Sequence, residues 1–210
     1  MKLILASASP RRAQILRAAG MRFEIVRANI DESPKRGETA RAMTRRLAQA
    51  KAHSVAHKFE KKRSEAIVVG ADTTVEIDGH LLGKPDSLKA ARAMLGRLSG
   101  RTHRVVTSVA TIRLPDRAAK IATESTRVHF ARLTAKEIAD YVATQEPLDK
   151  AGAYAIQGIS GRFIDRIEGC YFNVVGLPLA LLYRMLIGLG WQPAALNHRG
   201  RGSGRAKGLA

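Results

Sequence analysis

The chain opens on a strand that runs straight into a helix start: Leu3-Ile4-Leu5-Ala6, then Ser7-Ala8-Ser9-Pro10-Arg11-Arg12. Four apolar residues in a row read as a buried strand. Ser9 is a natural N-cap, and Pro10 suits the first helical position, where its missing N–H would have had no partner. Open backbone N–H groups, the positive end of the helix dipole and two guanidinium groups therefore meet in one small volume. Such a volume attracts phosphate, so the first dozen residues predict an anionic, phosphorylated ligand.

Strand and helix signals alternate from there. Gly20 reads as the end of the first helix, and Phe23 to Val26 as a second strand followed by the polar segment Asn29 to Glu38. Thr39 to about Lys58 is helical, with Met43, Leu47 and Ala50 on one face. Ala66 to Gly70 is a buried-type strand bounded by Gly70, and Val75 to Leu82 reads as a hairpin around Asp78-Gly79. Asp86 or Ser87 caps a helix carrying Leu88, Ala91, Leu95 and Leu98. Arg104 to Leu114 and Ile121 to Ala131 pair through a turn at Pro115-Asp116, and Thr134-Ala135-Lys136-Glu137 is a capping box. Ala151 to Gly176 looks irregular, with a strand near Phe163 to Ile167, and Leu177, Leu181, Met185 and Leu189 stripe a closing helix. The pattern predicts an α/β fold with a mixed, twisted central sheet flanked by helices, in two lobes around a cleft. Residues 1–193 read as one domain and residues 194–210 as a disordered, basic Gly/Arg-rich tail.

The net charge of +18 is the one unusual bulk property, and it suits nucleic acid, anionic membranes or polyphosphate metabolites. Arg199, Arg201, Arg205 and Lys207 lie in the tail, but the rest of the chain is still strongly basic. The tail and the cluster Lys58, Lys61, Lys62, Arg63 predict a weak contact with nucleic acid. A main role in single-strand recognition is disfavoured, because aromatic residues make up only 5% of the chain and do not interleave with the basic ones. The single cysteine, Cys170, excludes an intramolecular disulfide, fits a reducing compartment and reads as a buried small hydrophobe. The most apolar late stretch, Val174 to Leu189, is broken by Pro178 and Arg184, so a cytoplasmic protein without a membrane span is expected.

Several chemistries drop out. There is no phosphate-binding Walker loop, and Ser54 stands where a zinc-protease helix carrying His53 and His57 would need glutamate. Asp72, in Gly70-Ala71-Asp72-Thr73, follows a buried strand, where a carboxylate points into the crevice in which α/β proteins bind ligands. Asp31-Glu32 lies in the polar loop, Lys51 on the helix after it, and Lys84 between Gly83 and Pro85. Two carboxylates suit a hard divalent cation such as magnesium, while Arg11, Arg12, Lys51 and Lys84 suit a polyphosphate.

These segments occur in order with Leu98-Ser99-Gly100-Arg101-Thr102-His103, the run Asp149-Lys150-Ala151-Gly152-Ala153-Tyr154-Ala155-Ile156-Gln157-Gly158, and the run Ile167 to Pro178. In this the chain resembles the Maf family of nucleoside triphosphate pyrophosphatases, also called septum-formation inhibitors, from Lys2 to about Trp191. The resemblance implies a Maf/ITPase-like fold, a homodimer, and hydrolysis of a nucleoside triphosphate to monophosphate and pyrophosphate. It also implies a divalent metal, magnesium or manganese being expected, for which the two carboxylates Glu32 and Asp72 are the ligands this chain offers. Asp72 matches the family's proton acceptor; whether it takes the proton itself or mainly holds the metal is left open, because a metal-bound carboxylate is a weak base. Ser7, Arg11, Glu32, Lys51 and Lys84 match polar positions that line the family's cleft. Arg12, Thr73 and Gln157 match the branch acting on dTTP and UTP. The branch acting on 7-methylguanosine triphosphate tends to carry glutamate at the third position. A glutamine amide offers both the donor and the acceptor that a uracil or thymine edge requires. A division regulator acting by protein contact, as the older family name suggests, is the remaining alternative.

Overall fold

The computed structural model describes residues 1–59 and 65–193. Its elements in chain order are β1 (Lys2–Ala6), α1 (Pro10–Ala18), β2 (Glu24–Ile25), α2 (Ala40–Phe59), β3 (Ala66–Ile77), β4 (His80–Leu82) and α3 (Leu88–Leu98). They continue with β5 (Thr102–Leu114), β6 (Ala119–Phe130), α4 (Ala135–Ala143), β7 (Ile164–Glu168), α5 (Tyr171–Val175) and α6 (Leu179–Ile187). The strands form one mixed sheet in the order β2-β1-β3-β5-β6-β7, with β4 added to β3. β1 runs parallel to both β2 and β3, and the remaining pairings are antiparallel.

Local chemistry explains most of the element ends. Ser87 caps α3 by accepting from the Ala90 amide at 3.1 Å, and Thr134 with Glu137 forms a reciprocal capping box on α4. The β3–β4 hairpin turns on Asp78 and Gly79, both at positive φ (49° and 74°), with Ile77 paired to His80; this two-residue turn matches the strand twist.

Gly70 is not the strand boundary its sequence suggests. β3 runs straight through it for twelve residues, and the glycine serves a close approach instead. A Cβ there would lie 2.2 Å from the Ala48 carbonyl oxygen and 2.7 Å from the Ala52 nitrogen, so the backbone of α2 rests directly on this position. Asp72 consequently sits inside the strand rather than after it.

The pairing register shows why that interior position is open. One edge of β3 pairs with β5 from Ala66 to Glu76. The other edge pairs with β1 from Ala66 to Gly70 and with β4 from Val75 to Ile77. Ala71, Asp72, Thr73 and Thr74 thus lie in a gap between two partner strands. β1 ends at Ala6, opposite Gly70, and β4 ends at Leu82, opposite Val75, so both strands run toward the gap from opposite sides.

Apolar packing divides around this point. α2 covers the sheet face that carries Val68, Ala110 and Ile112, while α1 and α6 cover the face that carries Ile67, Val69 and Ala71. A further cluster with Val75, Leu95, Leu98 and Tyr141 gathers α3 and α4 at the far end of β3 and β5. Full burial of a leucine such as Leu95 contributes about 2 kcal/mol, so each group is a substantial core in its own right.

The segment from Ala151 to Gly176 is less irregular than it reads, holding short 3-10 turns, β7 and α5. Cys170 is half-buried rather than buried, because it occupies the N-cap position of α5 and exchanges backbone hydrogen bonds with the Thr126 hydroxyl. Lys61, Lys62, Arg63 and the tail from residue 194 lie outside the described residues. Among the described residues no helix is long and apolar enough to cross a membrane.

Candidate active site

The gap in the edge of β3 opens into a cleft of about 770 Å³, within the usual size range for small-molecule sites. The turn after β1 brings Ser7, Arg11 and Arg12 to it, and the turn after β4 brings Lys84. The segment from Asp149 to Gln157 lines another side. Five cationic side chains (Arg11, Arg12, Lys51, Lys84, Lys150) face three carboxylates (Glu32, Asp72, Asp149), so the lining is net positive.

Adjacent strand residues point to opposite faces of a sheet, and here this separates two sets of contacts. Asp72 points toward α2. Its Oδ1 accepts a hydrogen bond from Lys51 Nζ at 2.8 Å, and the same ammonium lies 3.0 Å from Glu32 Oε2. Lys51 and Asp72 are 7% and 6% exposed, so this is a buried pair with a partly solvated third member, Glu32. Burial pushes the Asp72 carboxyl above the usual carboxylate range, opposed by the positive charges of Lys51 and Arg12. Asp72 Oδ2 receives no protein hydrogen bond among the described residues.

Thr73 points the other way, toward α1 and α5. Its hydroxyl accepts from Arg12 Nη2 at 3.0 Å and lies 2.9 Å from the Thr107 hydroxyl. Arg12 also donates through Nε to the Gly176 carbonyl (2.8 Å) and through Nη1 to Ser7 Oγ (3.2 Å). Among the described residues no carboxylate lies within ion-pair distance of Arg12, and burial pushes its guanidinium below the usual value, opposed first by Asp72 and then by Glu32. Arg12 therefore braces Ser7, Thr73 and the turn at Gly176 with neutral partners, in addition to facing the cleft. Ser9 occupies the N-cap position of α1 without a side-chain cap bond; its own N–H is taken by Ser7 Oγ at 3.1 Å.

Arg11, Lys84 and Gln157 form the outer wall. Arg11 pairs with Asp149 at 3.1 Å and also reaches the Asp149 carbonyl. Lys84 and Gln157 are exposed and line the cleft, with no side-chain partner among the described residues. All the site residues expected from sequence thus line one cleft: Ser7, Arg11, Arg12, Glu32, Lys51, Asp72, Thr73, Lys84 and Gln157. Asp149 and Lys150 also line the cleft, in a segment the sequence marks as distinctive. Their only local signal is an acid beside a base, and Arg11 is 138 residues away. His103 supports the cleft wall through Tyr154. It is buried, with Nε2 2.7 Å from the Tyr154 hydroxyl, and Tyr154 lines the cleft.

A metal fits the donor set in part. Among the described residues there is no group of three or more acidic, histidine or cysteine side chains that could hold an ion. Glu32 and Asp72 nonetheless share one cationic partner, the Lys51 ammonium, so the pair already accommodates a positive charge between them. Two carboxylates plus phosphate oxygens and water is the ligand mix that hard divalent cations such as Mg²⁺ take.

The family model described as Maf-like protein matches residues 2–189. The chain belongs to the Maf family. Three bacterial relatives named dTTP/UTP pyrophosphatase cover nearly the same span. This Maf protein is 46% identical over 190 residues to one from Pelotomaculum thermopropionicum, covering 90% of this chain and 97% of the relative. It is 47% identical over 186 residues to one from Koribacter versatilis (89% and 93% covered) and 49% over 185 residues to one from Moorella thermoacetica (88% and 93%). A solved nucleoside-triphosphatase / dITP/XTP pyrophosphatase from Mycobacterium abscessus aligns over 64% of this Maf protein and 77% of its own chain at 16% identity. Its TM-score is 0.36, too slight a likeness to bear on the fold or the site.

Proposed function

We propose that this Maf protein hydrolyses dTTP and UTP between the α and β phosphates, giving the nucleoside monophosphate and pyrophosphate. The observation that carries the reading is the union, in one cleft, of the buried Asp72 carboxylate with a net-positive wall that includes Arg11, Lys51 and Lys84. The names and high coverage of the relatives support the choice of nucleotide. A nucleoside triphosphate carries roughly four negative charges, which basic side chains and divalent metal neutralise in phosphoryl-transfer sites.

In this reading Asp72 takes the proton of a water through Oδ2, the oxygen with no protein hydrogen bond among the described residues. That water attacks the α phosphorus, the bond to the α–β bridging oxygen breaks, and pyrophosphate leaves. Arg11, Lys51 and Lys84 neutralise charge on the phosphates, while Arg12 fixes Ser7 and Thr73 in position. Glu32 and Asp72 would hold the metal, Mg²⁺ or Mn²⁺, which would supply further positive charge to the phosphates. Gln157 reads the base edge, with its amide matched to the carbonyl and N–H groups of uracil or thymine.

The same proposal takes residues 1–193 as one catalytic unit acting in the cytoplasm as a homodimer. The tail from residue 194 adds a weak, salt-sensitive contact with nucleic acid. The test is a panel of dTTP, UTP, 7-methylguanosine triphosphate and purine triphosphates with Mg²⁺ or Mn²⁺, with products separated by chromatography. Fastest turnover of dTTP and UTP, with pyrophosphate and monophosphate as the only products, is expected. Preference for 7-methylguanosine triphosphate, or release of orthophosphate, would overturn the reading.

A further inference from the structure

Lys51 combines two properties that pull against each other. Its ammonium sits 2.8 Å from Asp72 and 3.0 Å from Glu32, the two carboxylates assigned above to the metal. Its stem is buried in α2, beside the helix turn that rests on Gly70, so the head group cannot simply drift away into bulk water. A divalent ion bound by both carboxylates would face a full positive charge at close range in a poorly solvated site, where charges interact far more strongly than in water. Lys51 and the metal therefore compete for the same pair of acids. The competition ends when Lys51 is offered another anion, and the triphosphate entering this cleft is one.

We propose that Lys51 is an internal competitor of the metal, so that the ion is admitted to Glu32 and Asp72 together with the nucleotide and not before it. The inference rests on the pyrophosphatase reading given above. On binding, the phosphates draw the Lys51 ammonium off the carboxylates, and the same movement that secures the substrate frees the acids for the ion. Lys84 and Arg11 cannot play this part. Lys84 has no acidic partner among the described residues, and Arg11 is paired with Asp149 rather than with the metal ligands. The arrangement makes cleavage depend on a metal–nucleotide complex and keeps the site from loading divalent ions when nucleotide is scarce.

The test measures Mn²⁺ binding directly, by the paramagnetic resonance signal of the free ion, without turnover. In the absence of nucleotide, Lys51→Met, which keeps the apolar stem, should bind Mn²⁺ at least about tenfold more tightly than the parent protein, ~1.4 kcal/mol. Lys51→Gln should behave alike, giving a second neutral variant should one fold poorly. Lys51→Arg retains the charge and should stay within about threefold of the parent, as should Lys84→Met, which removes the same charge elsewhere in the cleft. Adding α,β-methylene dUTP should tighten Mn²⁺ binding to the parent by about tenfold or more, and to Lys51→Met by clearly less. Unchanged Mn²⁺ affinity in both neutral variants, or an equal gain in Lys84→Met, overturns the proposal while leaving the pyrophosphatase reading standing. Failure of the parent to bind the analogue at all, with or without Mn²⁺, overturns that reading and this inference with it.

Discussion

Replacing Gly70 with alanine should damage the site without touching any residue that faces the cleft. The added Cβ would lie 2.2 Å from the Ala48 carbonyl oxygen and 2.7 Å from the Ala52 nitrogen. Both are backbone atoms, so no side chain can swing aside. α2 would have to retreat from β3 by about 1 Å, and overpacking of this kind costs about 3 kcal/mol or more. The retreat has a functional consequence, because Lys51 precedes Ala52 on α2 and Asp72 follows Gly70 on β3 by two residues. Lys51 and the rest of the cleft-lining face of α2 would shift by a similar amount relative to Asp72. A displacement of about 1 Å in a catalytic constellation lowers turnover by roughly 10²-fold. Guanidinium unfolding reports the first effect, and pyrophosphate release from dTTP, measured well below the unfolding temperature, reports the second. Gly96→Ala is the control. Gly96 lies within α3 with nothing within 4 Å of an added Cβ, so alanine there should be neutral or stabilising by about 0.5–1 kcal/mol. If Gly70→Ala stays within about 0.5 kcal/mol of the parent and keeps full turnover, the close approach of α2 to β3 does not position the site.

The buried His103 makes stability pH-dependent. Burial holds its imidazole down to about 4, against an ordinary value of 6.5, so the unfolded chain binds a proton that the folded chain refuses. Stability is complete above pH 6.5 and falls as pH drops toward 4, with a loss of about 2 kcal/mol by pH 5. Guanidinium midpoints at pH 7.5 and pH 5 should show that loss in the parent and much less of it in His103→Gln; equal slopes in the two proteins would remove His103 as the cause. Gln157→Glu replaces the only donor of that side chain with an acceptor, so kcat/KM for dTTP and UTP should drop by about tenfold. Unchanged kinetics for both nucleotides would exclude Gln157 from base recognition.

Local patterns carried most of the secondary structure. The strand–turn–helix start, the Asp78-Gly79 hairpin, the Ser87 cap and the Thr134–Glu137 capping box each depend on a few neighbouring residues and appear where those residues predict. What could not be read locally is how the cleft opens. It exists because β1 and β4 pair with different stretches of one edge of β3, a fact of register that no single segment encodes. Asp72, which reads as following the strand because Gly70 looks like punctuation, lies inside it, since Gly70 is a seat for α2. Arg12 reads locally as a phosphate-facing cation, whereas its bracing of Thr73 and Gly176 joins residues 61 and 164 positions apart. Asp149 escaped notice for the same reason: its partnership with Arg11 spans the length of the fold.

Asp72 is where the account is most exposed. The decisive measurement is turnover of dTTP by Asp72→Asn, alongside binding of α,β-methylene dUTP to the same folded protein. Retained binding with a fall in turnover of at least ~10²-fold is the predicted result. A folded Asp72→Asn protein that releases pyrophosphate at near-parental rates would contradict it.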